Sequence, residues 1–379
     1  MIYLDNSATT ATRPEVAKFL HDATLDMYFN PSSVYSPAIN VRRELDTARQ
    51  NILSLLDAPR DGLVYFTGSA TEANNIILHG LIKKHKKALI SIGEHPSIYE
   101  TAKAMANQGY DIQFIRLTQE GVVDTEHLTQ LLDSGDVGFV SFMHVSNETG
   151  AINDILTLNK LIKSKHPKCI VHCDGVQAFM KIPFSVTELG IDAYTISSHK
   201  IHGPKGVGAF FIRKGITIAP SIFGGGQESG IRPGTENVPG VLAFVLAAKI
   251  MQDKLASNYS HALQLKTHMI KRLSEKCTGF SINALNTLTS PNVLSVSFHG
   301  CRGEVLLHAL EQHQIYVSTG SACSSRISGN RILQAMGQDQ SLIDGNLRFS
   351  FSEYNTIAEI DVVVERLAEI LEKYNKIRK

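Results

Sequence analysis

The chain has 379 residues, with 37 Lys and Arg against 36 Asp and Glu and 43% hydrophobic residues. A near-neutral chain this apolar builds a large core; it is not disordered, and it lacks the basic excess of a general nucleic-acid binder. At about 150 residues per domain, the length suits two domains.

The first ten residues, MIYLDNSATT, put Asp5 where a secretory signal would carry a basic region and an apolar run. The longest apolar stretch, 238–251, contains Pro239 and Lys249 and is too short for a bilayer core of ~30 Å. A cytoplasmic protein without membrane contact is expected. Five cysteines (Cys169, Cys173, Cys277, Cys301 and Cys323) are odd in number and irregularly spaced. In a reducing compartment they are free thiols, each either core filler or chemistry.

From about residue 60, short β-rich runs at 63–66, 88–92, 112–115, 137–142, 170–173, 194–197 and 207–212 alternate with amphipathic helical patterns at 73–84, 97–107 and 154–164. That alternation predicts a largely parallel sheet with helices on both faces. A long helical pattern runs from Pro239 to about Lys276. Beyond it, 293–298, 303–313, 346–351 and 356–374 suggest a smaller α+β unit, which the first ten or so residues join or bridge to the large one. Boundaries of 15–250 for the large unit, and of 1–14 with 251–379 for the small one, follow. The basic runs KKHKK (83–87) and KSKHPK (163–168) read as solvated helix ends.

Four segments carry residue types suited to chemistry. Lys200, in SSHKIHGPKG, leaves a strand against a turn, where desolvation would lower its pKa and fit it for Schiff-base chemistry; a snorkelling surface lysine is the plainer alternative. In VHCDGVQ (171–177), period-2 alternation sends Cys169, Val171 and Cys173 to one side of a strand and Ile170, His172 and Asp174 to the other. Cys and His therefore diverge, and no metal site is expected. Asp174 falls at a strand's C-terminal end, where open α/β sheets bind ligands and a carboxylate can hold a cationic ring nitrogen, or simply cap the next element. In FTGSATE (66–72), Ser69 and Glu72 have capping-box spacing, and such a helix start is a phosphate site. The fourth, STGSACSS (318–325), sets Cys323 among small residues, so this thiol is not core filler.

Together the segments resemble the cysteine desulfurases of the NifS/IscS type, within the class-V aminotransferase family of pyridoxal-phosphate enzymes. The matching motifs are YLDNSATT (3–10), NPSS (30–33), SATEANN (69–75), GEHPS (93–97), VSNETGAI (145–152), HCDGVQ (172–177), SSHKIHGPKGVGAF (197–210), GGGQESGIRPGTENVPG (224–240), GSACSS (320–325) and LRFSF (347–351). They keep the family's order over nearly the whole chain. Two departures stand out: TGSATE reverses the family's usual Ser-Gly order, and ISGNRILQAMG (327–337) is shorter than its IscS counterpart and lacks a serine-histidine pair.

The resemblance implies an α/β fold of type I among pyridoxal-phosphate transferases, with a mostly parallel seven-stranded sheet and a smaller α+β domain carrying the cysteine loop. It also implies pyridoxal 5'-phosphate as cofactor, L-cysteine as substrate, a homodimer, and a protein sulfur acceptor, either an iron–sulfur scaffold or a thiolation enzyme. Lys200 would be the covalent anchor and proton shuttle, Asp174 the partner of the ring nitrogen, Gln177 that of the ring hydroxyl, and His95 a ring-stacking residue that assists proton transfer. Thr71, Ser197 and His199 would bind the phosphate, with Thr235 reaching in from a second subunit, and Ala70 would be a further cofactor-binding residue. Asn147, beside the cofactor, and Arg348 would hold the substrate carboxylate, and Cys323 would take the sulfur. A selenocysteine lyase or other enzyme of the same fold, and a non-catalytic sulfur-relay scaffold, are the alternatives. A transaminase has no need of Cys323, and a scaffold has none of Lys200, Asp174 and His95.

Overall fold

The computed structural model describes residues 1–319 and 331–378. In chain order the elements are β1 (Ile2–Tyr3), α1 (Pro14–Asp26), α2 (Ser36–Leu55), β2 (Leu63–Thr67), α3 (Ala70–Leu81), β3 (Lys87–Ser91), α4 (Pro96–Asn107), β4 (Ile112–Ile115), α5 (Thr125–Asp133), β5 (Val137–Met143), α6 (Ile155–Lys165), β6 (Ile170–Asp174), α7 (Val186–Leu189), β7 (Ala193–Ser197) and β8 (Gly208–Ile212). Then come α8 (Val238–Asp253), α9 (Leu255–Lys276), β9 (Phe280–Ile282), β10 (Val293–Phe298), α10 (Gly303–Glu311), β11 (Ile315–Tyr316), α11 (Arg331–Ala335), α12 (Gln340–Asp344), β12 (Asn346–Ser350) and α13 (Ile357–Arg378).

Seven strands form one sheet in the order β2-β8-β7-β6-β5-β3-β4. β8 runs antiparallel to both its neighbours and the other pairings are parallel. β3, β7 and β8 are buried at every position, as strands must be when helices cover both faces. One core joins Phe142, Val171, Cys173 and Tyr194 of the strands to Leu45 and Ile52 of α2 and Phe244 of α8. The other joins Ile90, Phe139 and Phe210 to Ile76 and Leu78 of α3 and Ile98 of α4. The expected sheet and helix layers are therefore found.

A second, antiparallel sheet has the order β12-β10-β9, and its core draws on α9, α10 and α13. The first residues belong to both units. β1 pairs with β11, Leu4 lies in the second core, and Thr10 N donates to His199 O at 3.0 Å beside the first sheet. The helical pattern expected from 239 to 276 is two helices, because Lys254 leaves helical geometry at φ −104°, ψ 3°. That break lies where the chain passes from the core that Met251 joins to the core that Leu265 joins. Among the described residues, no helix is long and apolar enough to cross a membrane.

The basic runs are mostly exposed, as expected of solvated ends, with two members tied more tightly. Lys87 starts β3, is buried, and donates to Ser134 Oγ at 2.7 Å. Lys163 pairs with buried Asp192 at 2.5 Å.

Candidate active site

The C-terminal ends of β6 and β7, the starts of α3 and α4, and the N-terminal residues meet at one edge of the large sheet. Parallel strands all release their chains at the same edge, which is why residues far apart in sequence gather there.

Asp174 is the last residue of β6 and only 3% exposed. Its Oδ1 accepts from Val176 N at 3.0 Å and its Oδ2 from Asn74 Nδ2 at 3.0 Å. No ion pair to Asp174 exists among the described residues, although a buried carboxylate normally requires a cation. Lys200 closes a short 3-10 turn after β7, and its Nζ donates to Ser7 O at 2.6 Å and Ala8 O at 2.7 Å. Gln177 Nε2 donates to the same Ser7 O at 2.9 Å.

His95 is the N-cap of α4 and its Nδ1 lies 2.8 Å from Ser97 Oγ. Burial holds its pKa below the usual histidine value; Asp174 pulls the other way, and Lys200 and Arg331 reinforce the burial. Hydrogen bonds through Asn74 and Ser97 join His95 to Asp174, and Lys200 follows β7, the strand beside β6. His199 Nδ1 lies 3.0 Å from Thr9 Oγ1, and its pKa is pushed down to about 4, first by burial and then by the charges of Lys200 and Lys205.

The phosphate candidates are less uniform. Ser69 caps α3, its Oγ accepting from Glu72 N at 3.1 Å. A full capping box would return Glu72 to the N-cap amide, yet Glu72 Oε2 accepts from Gly68 N and Oε1 from Arg232 Nε at 2.9 Å. Arg232 thereby fastens the 231–237 loop to the start of α3. Ala70 and Thr71 form the first turn, with Thr71 exposed. Ser197 Oγ is buried with no hydrogen-bond partner. Thr235 is exposed, and among the described residues its side chain makes no hydrogen bond to the others named here.

Arg348, in the middle of β12, is 4% exposed. Its Nη1 donates to Asn147 O at 2.8 Å and its Nη2 to Asp5 Oδ1 at 2.9 Å, while Nε is buried without a partner. Asn147 Oδ1 is likewise buried and unpartnered. Ser318 pairs with Arg348 through the backbone, so the strand leading to the cysteine segment is fixed to Arg348 itself. Cys323 lies outside the described residues.

Four residues close to these were not singled out from the sequence. Asn74 and Ser97 join Asp174 to His95. Lys181 Nζ donates to Gln177 Oε1 at 2.8 Å. Glu94, fully buried, accepts from Ser141 Oγ at 2.5 Å, and Ser141 in turn lies 2.9 Å from His172 Nδ1. The i, i+4 spacing of Gln177 and Lys181 was a readable signal. The pairings of Asn74 with Asp174 and Ser97 span 100 and 23 residues and leave no local trace.

The buried atoms left unpartnered, together with the buried Asp174 carboxylate that has no ion pair among the described residues, match pyridoxal phosphate in kind. Ser197 Oγ and the α3 start suit a phosphate, Asp174 a protonated ring nitrogen, and Arg348 Nε with Asn147 Oδ1 an amino-acid substrate.

The Aminotransferase class-V model matches residues 2–363. The chain is 35% identical over 377 residues to a cysteine desulfurase of Trichormus azollae, covering 98% of this chain and 93% of that one. It is 33% identical over 381 residues to the cysteine desulfurase IscS of Dictyoglomus turgidum, covering 99% and 96%. A solved NifS-like protein superposes with a TM-score of 0.90 at 35% identity, covering 98% of this chain and 99% of that one. A NifS-like protein from Rickettsia africae gives 0.90 at 32% identity, with coverage of 98% and 99%. With its motifs in family order and its fold matched from end to end, the chain belongs to the class-V aminotransferase family, among the cysteine desulfurases of the NifS/IscS type.

Proposed function

We infer that the protein is a pyridoxal-phosphate-dependent cysteine desulfurase: L-cysteine and an enzyme thiol give L-alanine and an enzyme persulfide. The observation that carries this reading is the buried Asp174 carboxylate, which forms no ion pair among the described residues and shares its end of the sheet with Lys200 and, through Asn74 and Ser97, with His95. When bound, the cofactor's pyridinium ring acts as the sink for electrons released at the substrate's α-carbon.

The chain's own groups divide the remaining work. Asp174 holds a proton on the ring nitrogen through its charge, and Gln177 meets the ring hydroxyl with its Nε2. Ala70, Thr71, Ser197 and His199 hold the phosphate through amide N–H groups, hydroxyls and a ring nitrogen. Lys200 Nζ would be the covalent anchor and would hold the proton taken from the substrate's α-carbon. Arg348 and Asn147 orient the substrate carboxylate, for which a guanidinium fork is suited. His95 covers the ring and assists proton transfer.

Cys323 accepts the sulfur. The S–C bond of the substrate breaks, a new S–S bond forms at the Cys323 thiolate, and the proton that replaces sulfur goes to the substrate carbon. The other thiols are poorly suited to this role. Burial pushes Cys169 up to about 12, Cys277 to about 11 and Cys173 well above its usual value, and Cys301 is buried as well. A thiol with so little thiolate at neutral pH is a weak nucleophile.

The active form is a homodimer, in which Thr235 reaches the phosphate of the partner subunit. Supporting this, a cavity of about 450 Å³ brings Pro31 and Ser32 beside Gly226, Gln227 and Glu236. In the chain segments next to these lining residues, Tyr28, Val34, Tyr35 and Phe223 are 73%, 87%, 51% and 84% exposed, apolar surface of the kind that subunit interfaces bury. The persulfide passes to an acceptor protein of an iron–sulfur or thiolation system. Among the described residues, Cys169, Cys173 and Cys277 form no disulfide, which fits a reducing cytoplasm.

The test is production of alanine and sulfide from L-cysteine by the purified protein and by Lys200→Ala. Turnover by the wild type, lost in a folded Lys200→Ala variant, is expected. Near wild-type turnover by the variant would refute the assignment.

A further inference from the structure

Between Asp174 and His95 lies an unbroken line of hydrogen bonds. Asn74, on the second turn of α3, is fully buried; its Nδ2 donates to Asp174 Oδ2 at 3.0 Å and to Ser97 Oγ at 2.9 Å. Ser97 Oγ lies 2.8 Å from His95 Nδ1, and Ser97 N donates to the same nitrogen at 3.2 Å.

The direction of every bond in this line is fixed by its first member. An ionised carboxylate only accepts, so the Asn74 amide must turn its NH2 toward Asp174, since the opposite orientation would set two oxygens together. Both amide hydrogens are then spent on Asp174 and Ser97, consistent with Asn74 Oδ1 being buried without a partner. Having accepted from Asn74, the Ser97 hydroxyl sends its own hydrogen to His95 Nδ1. That nitrogen therefore faces two donors, the hydroxyl and the backbone N–H, and cannot carry a proton itself. The ring hydrogen sits on Nε2.

We propose that Asn74 and Ser97 are positioning residues that transmit the charge of Asp174 to His95 and hold its ring as the Nε2–H tautomer, so that His95 enters the desulfurase reaction as a hydrogen donor at Nε2 and Lys200 acts as the base. This rests on the desulfurase reading for the reaction, though not for the tautomer. The charged groups facing the ring are Asp174 at the end of β6, Lys200 after β7 and Arg331 at the start of α11. Its chain neighbour Glu94 is buried, with its carboxyl held well above the usual range by burial and by Asp174. Only Asp174 favours an imidazolium, and it meets His95 through two neutral groups rather than directly.

The test uses holoenzyme labelled with ¹⁵N-histidine, with His95 assigned by the signal lost in His95→Gln. In the wild type at pH 7, two-bond proton–nitrogen correlations are expected to show His95 neutral and protonated at Nε2. Ser97→Ala removes the shorter of the two donors to Nδ1. The Nδ1–H form should then become populated, or the His95 pKa should rise by about one unit, with alanine production falling roughly tenfold. Ser97→Thr, which keeps the hydroxyl, should restore both. A wild type protonated at Nδ1 would overturn the proposal, as would Ser97→Ala with the tautomer and pKa of His95 unchanged. A wild type that makes no alanine from L-cysteine yet shows the expected tautomer and its loss in Ser97→Ala would overturn the reaction and leave the relay standing.

Discussion

Arg348 and Asp5 form an ion pair, Nη2 to Oδ1 at 2.9 Å, with the arginine side chain only 5% exposed. The pair fixes the guanidinium by one edge, and the backbone carbonyl of Asn147 takes Nη1 at 2.8 Å. Nε remains buried and unpartnered. A guanidinium held this way is already oriented for a substrate carboxylate, and little entropy is lost when the substrate arrives.

Arg348→Lys keeps the charge but loses the fork. The missing charge-assisted bond is worth about 2 kcal/mol, so KM for L-cysteine should rise roughly thirtyfold, with kcat reduced less. Steady-state kinetics decide it. An unchanged KM would mean that the carboxylate binds elsewhere.

Gly208 lies between Thr67 and Ser197 in the sheet, against the start of α3. A Cβ there would stand 2.6 Å from Ser69 C and 2.7 Å from Ala70 N. Both are backbone atoms, so the helix start must move. Gly208→Ala is expected to leave the chain folded while weakening its hold on pyridoxal phosphate at least tenfold, in line with an overpacking cost of about 1–3 kcal/mol. Equilibrium dialysis measures this, and unchanged cofactor affinity would remove the α3 start from the phosphate site.

Lys181 is held down to about 7, first by burial and then by the charges of Lys200 and Arg348. In the unfolded chain it titrates near 10.5. Between these values the unfolded chain carries a proton that the folded one lacks, so this group's contribution to stability rises with pH. Its cost is complete below pH 7 and vanishes above about 10.5. Lys181→Met should therefore melt higher than the wild type at pH 7, with the gap closing toward pH 9.5. Thermal unfolding of both at matched concentration checks this, since the difference cancels the other titrating groups. A gap that stays constant with pH would contradict it.

The fold was legible in the sequence because local signals agree with the final packing. The run at 112–115 is β4 as expected, and the other six strands of the large sheet differ from expectation by a residue at one end or both. Much of the candidate site was legible in its motifs: SATEANN and GEHPS open α3 and α4, and HCDGVQ and SSHKIHGPKG leave β6 and β7, where ligands bind in such folds. What could not be read was whatever depends on two distant segments meeting. Asn74 looks like an ordinary helix residue until β6 brings Asp174 against it. Lys87 reads as one of five solvated basic residues, and only the Ser134 turn makes it a buried donor. Glu72 has the spacing of a capping box, but Arg232, 160 residues away, draws off one of its oxygens.

The account turns on one thiol, and intact-protein mass spectrometry with peptide mapping after incubation with L-cysteine tests it most directly. One added sulfur at Cys323 is expected, with none at Cys169, Cys173, Cys277 or Cys301, whose burial keeps them protonated or out of reach. Cys323→Ser should still perturb the cofactor's absorbance with L-cysteine, because Lys200, Asp174 and Arg348 are untouched. It should release no alanine, since a serine oxygen is a poor nucleophile toward divalent sulfur. Sulfur carried on Cys301 instead, or alanine released at the wild-type rate by Cys323→Ser, would contradict the account.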